Sequence, residues 1–197
     1  MKLSIVIPAH NEEDNILEVI NKARQSLDGV DYEIVVVDDH STDATASLVG
    51  VVLSQYNNIR LMENRLERGF ANALKISFNN IHSEAVLPVM ADSCDDLSTI
   101  KIMLEKISEG YDVVCGCRYM KGGERIGGSK IKGFCSRFAC LSLYYLLGLP
   151  TRDIVNSFKM YKKKVIDGIH IKSTSFEISS TIIITRNRFT KTAFIGF

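Results

Sequence analysis

Residues 85–96 read AVLPVMADSCDD, an apolar run that ends with Asp92, Asp95 and Asp96 inside five positions. Like charges crowded at the tip of a strand repel, so their placement points to a use. A hard divalent cation among them would offset the repulsion and could hold a diphosphate. A close pair with separated pKa values could do acid–base work. Asp95 and Asp96 could also cap, or face the dipole of, a helix beginning near Ser98. Capping accounts for one or two of the three acids, not for all.

The elements that must position these acids follow from hydrophobic period. Short β-branched runs alternate with longer segments of helical spacing, the pattern of a mostly parallel sheet covered by helices. KLSIVIP is a first strand, and Asn11 is expected to cap a helix whose first turn is Glu12-Glu13-Asp14 and whose buried face is Ile16, Val19/Ile20, Ala23 and Leu27. Further strands are expected over 32–39, 58–64, 85–91 and 112–117, with helices from about Asp43 to Tyr56, from near Gly69, and over Thr99–Glu109. In such sheets ligands sit beyond the carboxyl ends of the strands. That makes Asp38-Asp39 and the 92–96 acids candidates for one site.

Composition bounds the rest. With 197 residues, 46% hydrophobic and 24% charged, the chain reads as one globular domain, 1–197. Met1-Lys2 runs directly into a strand with no secretory apolar core, which predicts a cytosolic protein. The five cysteines show no paired zinc spacing, and Cys115 and Cys117 fall on one face of a strand as packed thiols. Charge is uneven: residues 1–117 carry 9 Lys/Arg against 19 Asp/Glu, and residues 118–164 carry 11 against 2. An acidic half suited to a cation thus adjoins a basic stretch suited to phosphate or an anionic surface. Nothing in the pattern points to nucleic acid. The segment 121–130 is Gly-rich and basic, and reads as a mobile loop. FACLSLYYLLGL, 138–149, is too short to span a bilayer and suits a core helix or one lying on a membrane surface or a second copy.

Taken in order, IVIPAHNEEDNI, VVVDDHSTDAT, the Asn64–Gly69–Ala73 segment, VMADSCDD, and GCRYMKGG followed by LLGLPTRDIVNSFKMYKK resemble family-2 glycosyltransferases of the GT-A fold. The likeness is greatest to the dolichol-phosphate mannose synthase-like group and runs from Lys2 to about Lys164. It implies a nucleotide- and metal-binding half, 1–117, and an acceptor-side half, 118–197, that is short at its C-terminus.

The resemblance also implies roles. Pro8, Ala9, Asn11 and Glu12 match the segment that cradles the nucleotide, Gly69 belongs to the segment after the third strand, and Asp39 matches the acid that contacts base or ribose. Ala91-Asp92-Ser93 stands where the family writes Asp-Ala-Asp, so Asp92 and Asp95 are the expected ligands of Mg²⁺ or Mn²⁺, with Asp96 as the alternative. Arg118, and Lys132 with Ser136, match groups that meet phosphate. Asp153 matches an acid near the reacting sugar. It would serve as base only if the acceptor is a sugar hydroxyl, since a phosphate acceptor is already anionic. His10 falls where relatives often carry an aromatic residue, while His40, His82 and His170 share no metal spacing.

The expected activity is metal-dependent, inverting transfer of a sugar from a nucleoside diphosphate, GDP or UDP, to a polyprenyl phosphate. Catalysis would rest on Asp92, Asp153 and Arg118, in the cytoplasm or peripherally on the cytoplasmic membrane face. The rival readings are transfer to a sugar hydroxyl in surface polysaccharide synthesis, and a non-catalytic nucleotide-sugar or partner-binding module. A homodimer is compatible with each.

Overall fold

The computed structural model describes residues 1–118, 138, 140–142, 144–146, 153–154, 156–167, 180–182 and 191–196. The chain runs β1 (Leu3–Ala9), α1 (Ile16–Ser26), β2 (Tyr32–Asp38), α2 (Thr45–Leu53), β3 (Ile59–Glu63), α3 (Phe70–Asn80), β4 (Ala85–Pro88), a 3₁₀ turn (Leu97–Thr99), α4 (Ile100–Ser108), β5 (Val113–Cys117), β6 (Lys159–Lys162), α5 (Lys163–Asp167) and β7 (Thr192–Gly196). Among the described residues, seven strands form one sheet in the order β3-β2-β1-β4-β6-β5-β7. Only β6 runs against its neighbours, β4 and β5; the other pairings are parallel. This is the mostly parallel, helix-flanked GT-A sheet that the periodicity and the resemblance led us to expect.

Strand alternation builds two cores. Leu3, Ile5 and Ile7 of β1, with Ile34, Val36 and Leu87, face Ile16, Val19, Ile20 and Ala23 of α1, Val49 of α2, and Ile100, Met103 and Ile107 of α4. Val6, Val35, Val37, Val86 and Tyr161 face the other way, onto Ala71, Leu74 and Phe78 of α3 and Val165 and Ile166 of α5. Because successive side chains point to opposite faces, a strand buried on both sides reads as continuous Val and Ile. That is why β1 and β2 were legible.

Three elements differ from expectation. α1 begins at Ile16, not after Asn11, because Asn11 takes a left-handed backbone (φ 54) that no helix N-cap uses. Strands β6 and β7 had no signal of their own. β6 is the four residues KMYK, whose Lys159 is fully buried, so its polar pattern hides a central strand.

The topology sets the site. β2 and β3 lie to one side of β1 and β4 to the other, so the direction of winding reverses between β1 and β4. The β1–β4 pairing ends at Val6↔Pro88, while β1–β2 pairing continues to Ala9↔Asp38. Pro8 carries no amide hydrogen, so beyond the bond from the Val89 amide to the Val6 carbonyl at 2.8 Å β1 has no ladder donor to offer β4. β1 and β4 therefore part, and the loops that follow them border a crevice.

Ile5, fully buried and paired to both Ile34 and Leu87, tests this core. Ile5→Ala is expected to lower unfolding free energy by about 2–5 kcal/mol with unchanged m-value, read by urea denaturation.

Candidate functional site

At the carboxyl ends of β1 and β2 a cleft of about 400 Å³ is lined by Pro8, Ala9, His10, Glu12, Asp39, Arg68, Gly69, Phe70 and Met90. It gathers residues from the loops after β1, β2, β3 and β4. Of the expected nucleotide contacts, Pro8, Ala9, Glu12, Asp39 and Gly69 line it. Asn11 does not: its Oδ1 accepts from the Thr42 amide at 2.8 Å, and its own amide donates to Ser41 Oγ. Asn11 thus stitches the β1 loop to the β2 loop, a link that Glu12 N–H to Thr45 Oγ1 (2.8 Å) and Ala44 N–H to Glu13 Oε2 (2.9 Å) extend.

Asp39 is the centre of the cleft's hydrogen bonding. Its carboxylate is buried and accepts from Asn64 Nδ2 on Oδ1 and from the Gly69 amide on Oδ2 at 2.9 Å, with a longer arm of 3.2 Å to Oδ1. Gly69 (φ 155, ψ 141) occupies a region open mainly to glycine and caps α3, so the acid at the end of β2 fixes the start of α3. The Asp39 carbonyl meets His10 Nδ1 at 2.8 Å, and His10 Nε2 meets Arg68 Nη1 at 3.3 Å. A carbonyl can only accept and a guanidinium can only donate, so the two contacts together call for a hydrogen on Nδ1 and a lone pair on Nε2. Sequence reasoning missed Arg68, Phe70 and Met90, and gave His10 no role among the site residues. The available signal was Arg68-Gly69 at the entry of α3.

The acidic loop follows β4. Ser93 adopts a left-handed backbone (φ 59), as do Asn11 (φ 54) and His40 (φ 62), so three strained non-glycine residues cluster in the loops after β1, β2 and β4. Asp92 Oδ1 accepts from the Cys94 amide at 3.1 Å, and Asp95 Oδ2 from the Met90 amide at 2.8 Å. Asp96 is spent on the cap: its Oδ1 takes the Ser98 amide and hydroxyl at 3.0 and 2.7 Å. Burial pushes the Asp95 carboxyl up to about 7; the Met90 amide opposes this, the Asp92 charge adds to it, and the Arg118 charge opposes it. Partial burial, then the hydrogen bond to Asp92, then the charges of Asp92, Asp95 and Glu12 push the Cys94 thiol up to about 11. Glu12, Asp92 and Asp95 therefore share one field.

These residues fit a hard cation. Asp92 and Asp95 are oxygen donors whose mutual repulsion a cation would relieve, and the buried Ser93 Oγ beside them has no hydrogen-bond partner. Among the described residues, no three His, Cys, Asp or Glu side chains converge to hold an ion unaided. Two carboxylates completed by substrate phosphates and water are a usual Mg²⁺ arrangement.

Arg118 follows β5 and reaches Asp153. Nε and Nη2 donate to Oδ2 and Oδ1, each at 2.8 Å, and the Arg118 amide adds a third bond at 3.1 Å. Asp153 is fully buried. Its ion pair is thus with Arg118; Arg152 lies outside the described residues, and Lys159 turns its Nζ to the carbonyls of Ile154, at 3.1 Å, and Asn156. Lys132, Ser136, Arg137 and the 121–130 loop also lie outside the described residues.

The sequence model described as Glycosyl transferase family 2 matches residues 4–169. A dolichol-phosphate mannosyltransferase of Pyrococcus furiosus is 28% identical over 100% of this chain and 56% of its own length. An uncharacterised glycosyltransferase of Synechocystis is 29% identical over 86% of this chain and 52% of its own length. The chain therefore spans about half the length of the curated relatives it matches. The crystal structure of glucosyl-3-phosphoglycerate synthase from Mycobacterium tuberculosis with Mn²⁺, UDP-glucose and phosphoglyceric acid superposes with a TM-score of 0.77 at 20% identity, covering 99% of this chain and 69% of that one. The same enzyme with Mg²⁺ and UDP gives 0.75 at 20% identity, with the same coverage.

Asp95 makes stability pH-dependent in the metal-free protein. Its native pKa, about 7, lies above the ordinary 3.8, so between those values the native state holds a proton that the unfolded state releases. This contribution is present at low pH and lost as pH rises through about 7. Asp95→Asn is expected to raise Tm relative to wild type by an increment that grows from about pH 4.5 to about 7.5 and is then constant, read by thermal scans across pH.

Proposed function

The chain belongs to glycosyl transferase family 2, and from that premise we propose that it moves a sugar from a nucleoside diphosphate to a polyprenyl phosphate. The observation that carries this reading is the convergence of the Asp39 cleft, the Asp92/Asp95 loop and Arg118 at the carboxyl ends of β1, β2, β4 and β5. Residues 1–117 would hold the donor and residues 118–197 the acceptor.

In this reading Asp39, with Pro8, Ala9, Gly69 and Glu12, receives the nucleoside, and Asp92 and Asp95 hold a divalent cation. Such a cation, Mg²⁺ or Mn²⁺, would neutralise the diphosphate and stabilise it as leaving group. The anomeric carbon–oxygen bond to the diphosphate breaks as a phosphate oxygen of the acceptor forms the new bond from the opposite face, inverting the centre. Arg118 is oriented by Asp153 toward the charge that gathers around Asp95, and Lys132 and Ser136 are proposed to add phosphate contacts.

The buried bidentate pair favours a phosphate acceptor over a sugar hydroxyl. Asp153 gives both oxygens to Arg118, which leaves it poorly placed to take a proton. A phosphate oxygen is anionic at neutral pH and needs no base. Contact with a lipid surface is supported by Phe138, Tyr145 and Leu146, which are 67, 73 and 80% exposed in a basic stretch of the chain. Among the described residues, no helix is long and apolar enough to cross a membrane. Peripheral association with the cytoplasmic face is the corresponding proposal.

Incubation with labelled nucleotide sugar, Mn²⁺ and polyprenyl phosphate is expected to give label extractable into organic solvent. Water-soluble product alone would refute the acceptor. Asp92→Ala is expected to reduce turnover at least about a hundredfold with the circular dichroism spectrum and Tm retained; full activity in this variant would sink the assignment. Asp153→Asn should lower kcat without removing a limb from the pH–rate profile, because Asp153 positions Arg118 and takes no proton.

A further inference from the structure

On the donor-site reading above, we propose that Asp43 and Thr45, neither of which lines the cleft, are positioning residues for donor binding: they hold the loop after β1 in the backbone arrangement that sets Glu12 at the cleft. The basis is a set of reciprocal bonds between two loops. Three successive amides after β1 donate to three side chains after β2: Asn11 to Ser41 Oγ at 3.1 Å, Glu12 to Thr45 Oγ1 at 2.8 Å and Glu13 to Asp43 Oδ2 at 3.1 Å. Two amides after β2 return the contact, Thr42 to Asn11 Oδ1 at 2.8 Å and Ala44 to Glu13 Oε2 at 2.9 Å. Neither loop can shift without breaking bonds of the other.

Donor and acceptor capacity puts Asp43 and Thr45 at the centre of this clasp. The Thr45 hydroxyl gives its single proton to Asp43 Oδ1 at 2.6 Å and receives the Glu12 amide on a lone pair. A hydroxyl does both; a valine of the same shape does neither. Asp43 engages both oxygens, Oδ1 with the Thr45 amide (2.9 Å) and hydroxyl, and Oδ2 with the Glu13 amide. A carboxamide in its place would turn an NH₂ group toward one of those donors. Thr45 is fully buried at the start of α2, so the clasp is anchored in the core rather than on the surface.

The clasp works against strain. Asn11 and His40, one in each loop, hold left-handed backbones (φ 54 and 62), a conformation that persists at non-glycine residues only when the surroundings impose it. Glu12 follows Asn11 directly, so its carboxylate, which acts on Cys94 beside Asp92 and Asp95, moves with that backbone. Releasing the clasp lowers the fraction of molecules whose cleft is set for the donor, and apparent affinity falls by the same factor.

Calorimetric titration of the full chain with Mn²⁺ and either UDP or GDP, whichever binds the wild type more tightly, tests this. Thr45→Val is expected to weaken binding at least about fivefold at unchanged stoichiometry, because the molecules stay folded and only the competent fraction falls. Thr45→Ser keeps both hydroxyl bonds and is expected to bind within about twofold of wild type. A merely structural role gives a different pattern: lower Tm and lower stoichiometry, with affinity unchanged in the folded fraction. Asp43→Asn breaks the same clasp at the Glu13 amide, is expected to weaken binding several-fold, and carries the test if Thr45→Val does not fold. Wild-type affinity in Thr45→Val or Asp43→Asn, or equal losses in Thr45→Val and Thr45→Ser, would overturn the positioning role and leave the donor site standing. No binding of either nucleotide to the wild type would overturn the donor site and the positioning role together.

Discussion

Asp39 is only 5% exposed, and the surroundings of the cleft are arranged around that fact. An ionised carboxylate removed from water is costly unless donors replace the hydration. Asn64 and the Gly69 amide supply them, and supplying them dictates structure. Asn64 must leave β3 toward β2, and the chain must turn at a glycine so that the Gly69 amide, just before α3, can reach the acid. The same residue's carbonyl aligns His10, and His10 aligns Arg68. One buried charge thereby sets the relative positions of β1, β2, β3 and α3 at the edge where ligands bind.

A second group of buried charges organises the other side. Asp153 and Lys159 are both fully buried, and Arg118 is partly so. Burial drives the Lys159 pKa down, the Cys115 thiol and Asp153 oppose that, and Arg118 adds to it. Burial also pushes the Cys115 thiol up to about 12, so it packs as a neutral group. Lys159 holds the turn through the carbonyls of Ile154 and Asn156, and that turn presents Asp153 to Arg118. Such groups seldom add net stability compared with apolar packing, but breaking one member is costly, which makes the arrangement rigid. Rigidity here aims Arg118 at the acidic loop.

Legibility followed the strength of local signals. β1 and β2 were read correctly because strands buried on both faces leave unbroken Val and Ile runs, and the α1 stripe from Ile16 to Leu27 repeats at helical spacing. β6 was invisible: Lys159, Tyr161 and Lys162 look like a surface segment, and only insertion between β4 and β5 buries the first two and half-buries the third. Asn11 was misread as a cap because Asn suits that role, whereas its left-handed backbone and its bond to Thr42 arise from a loop 31 residues away. Among the acids at 92–96, spacing suggested one cluster, and local geometry divided it. Asp96 turned to Ser98, while Asp92 and Asp95 stayed within reach of each other.

The sequence alone determined the family, the mostly parallel sheet, and the acids at the ends of β2 and β4, because motif order and strand period are properties of neighbouring residues. Tertiary structure decided what each acid faces. Asp39 is held by Asn64 and Gly69, Asp95 is pushed up by burial beside Asp92, and Asp153 is closed onto Arg118 across 35 positions of chain. Burial and long-range donors settle a carboxylate's free oxygens and proton affinity, and neither is a local property of the chain.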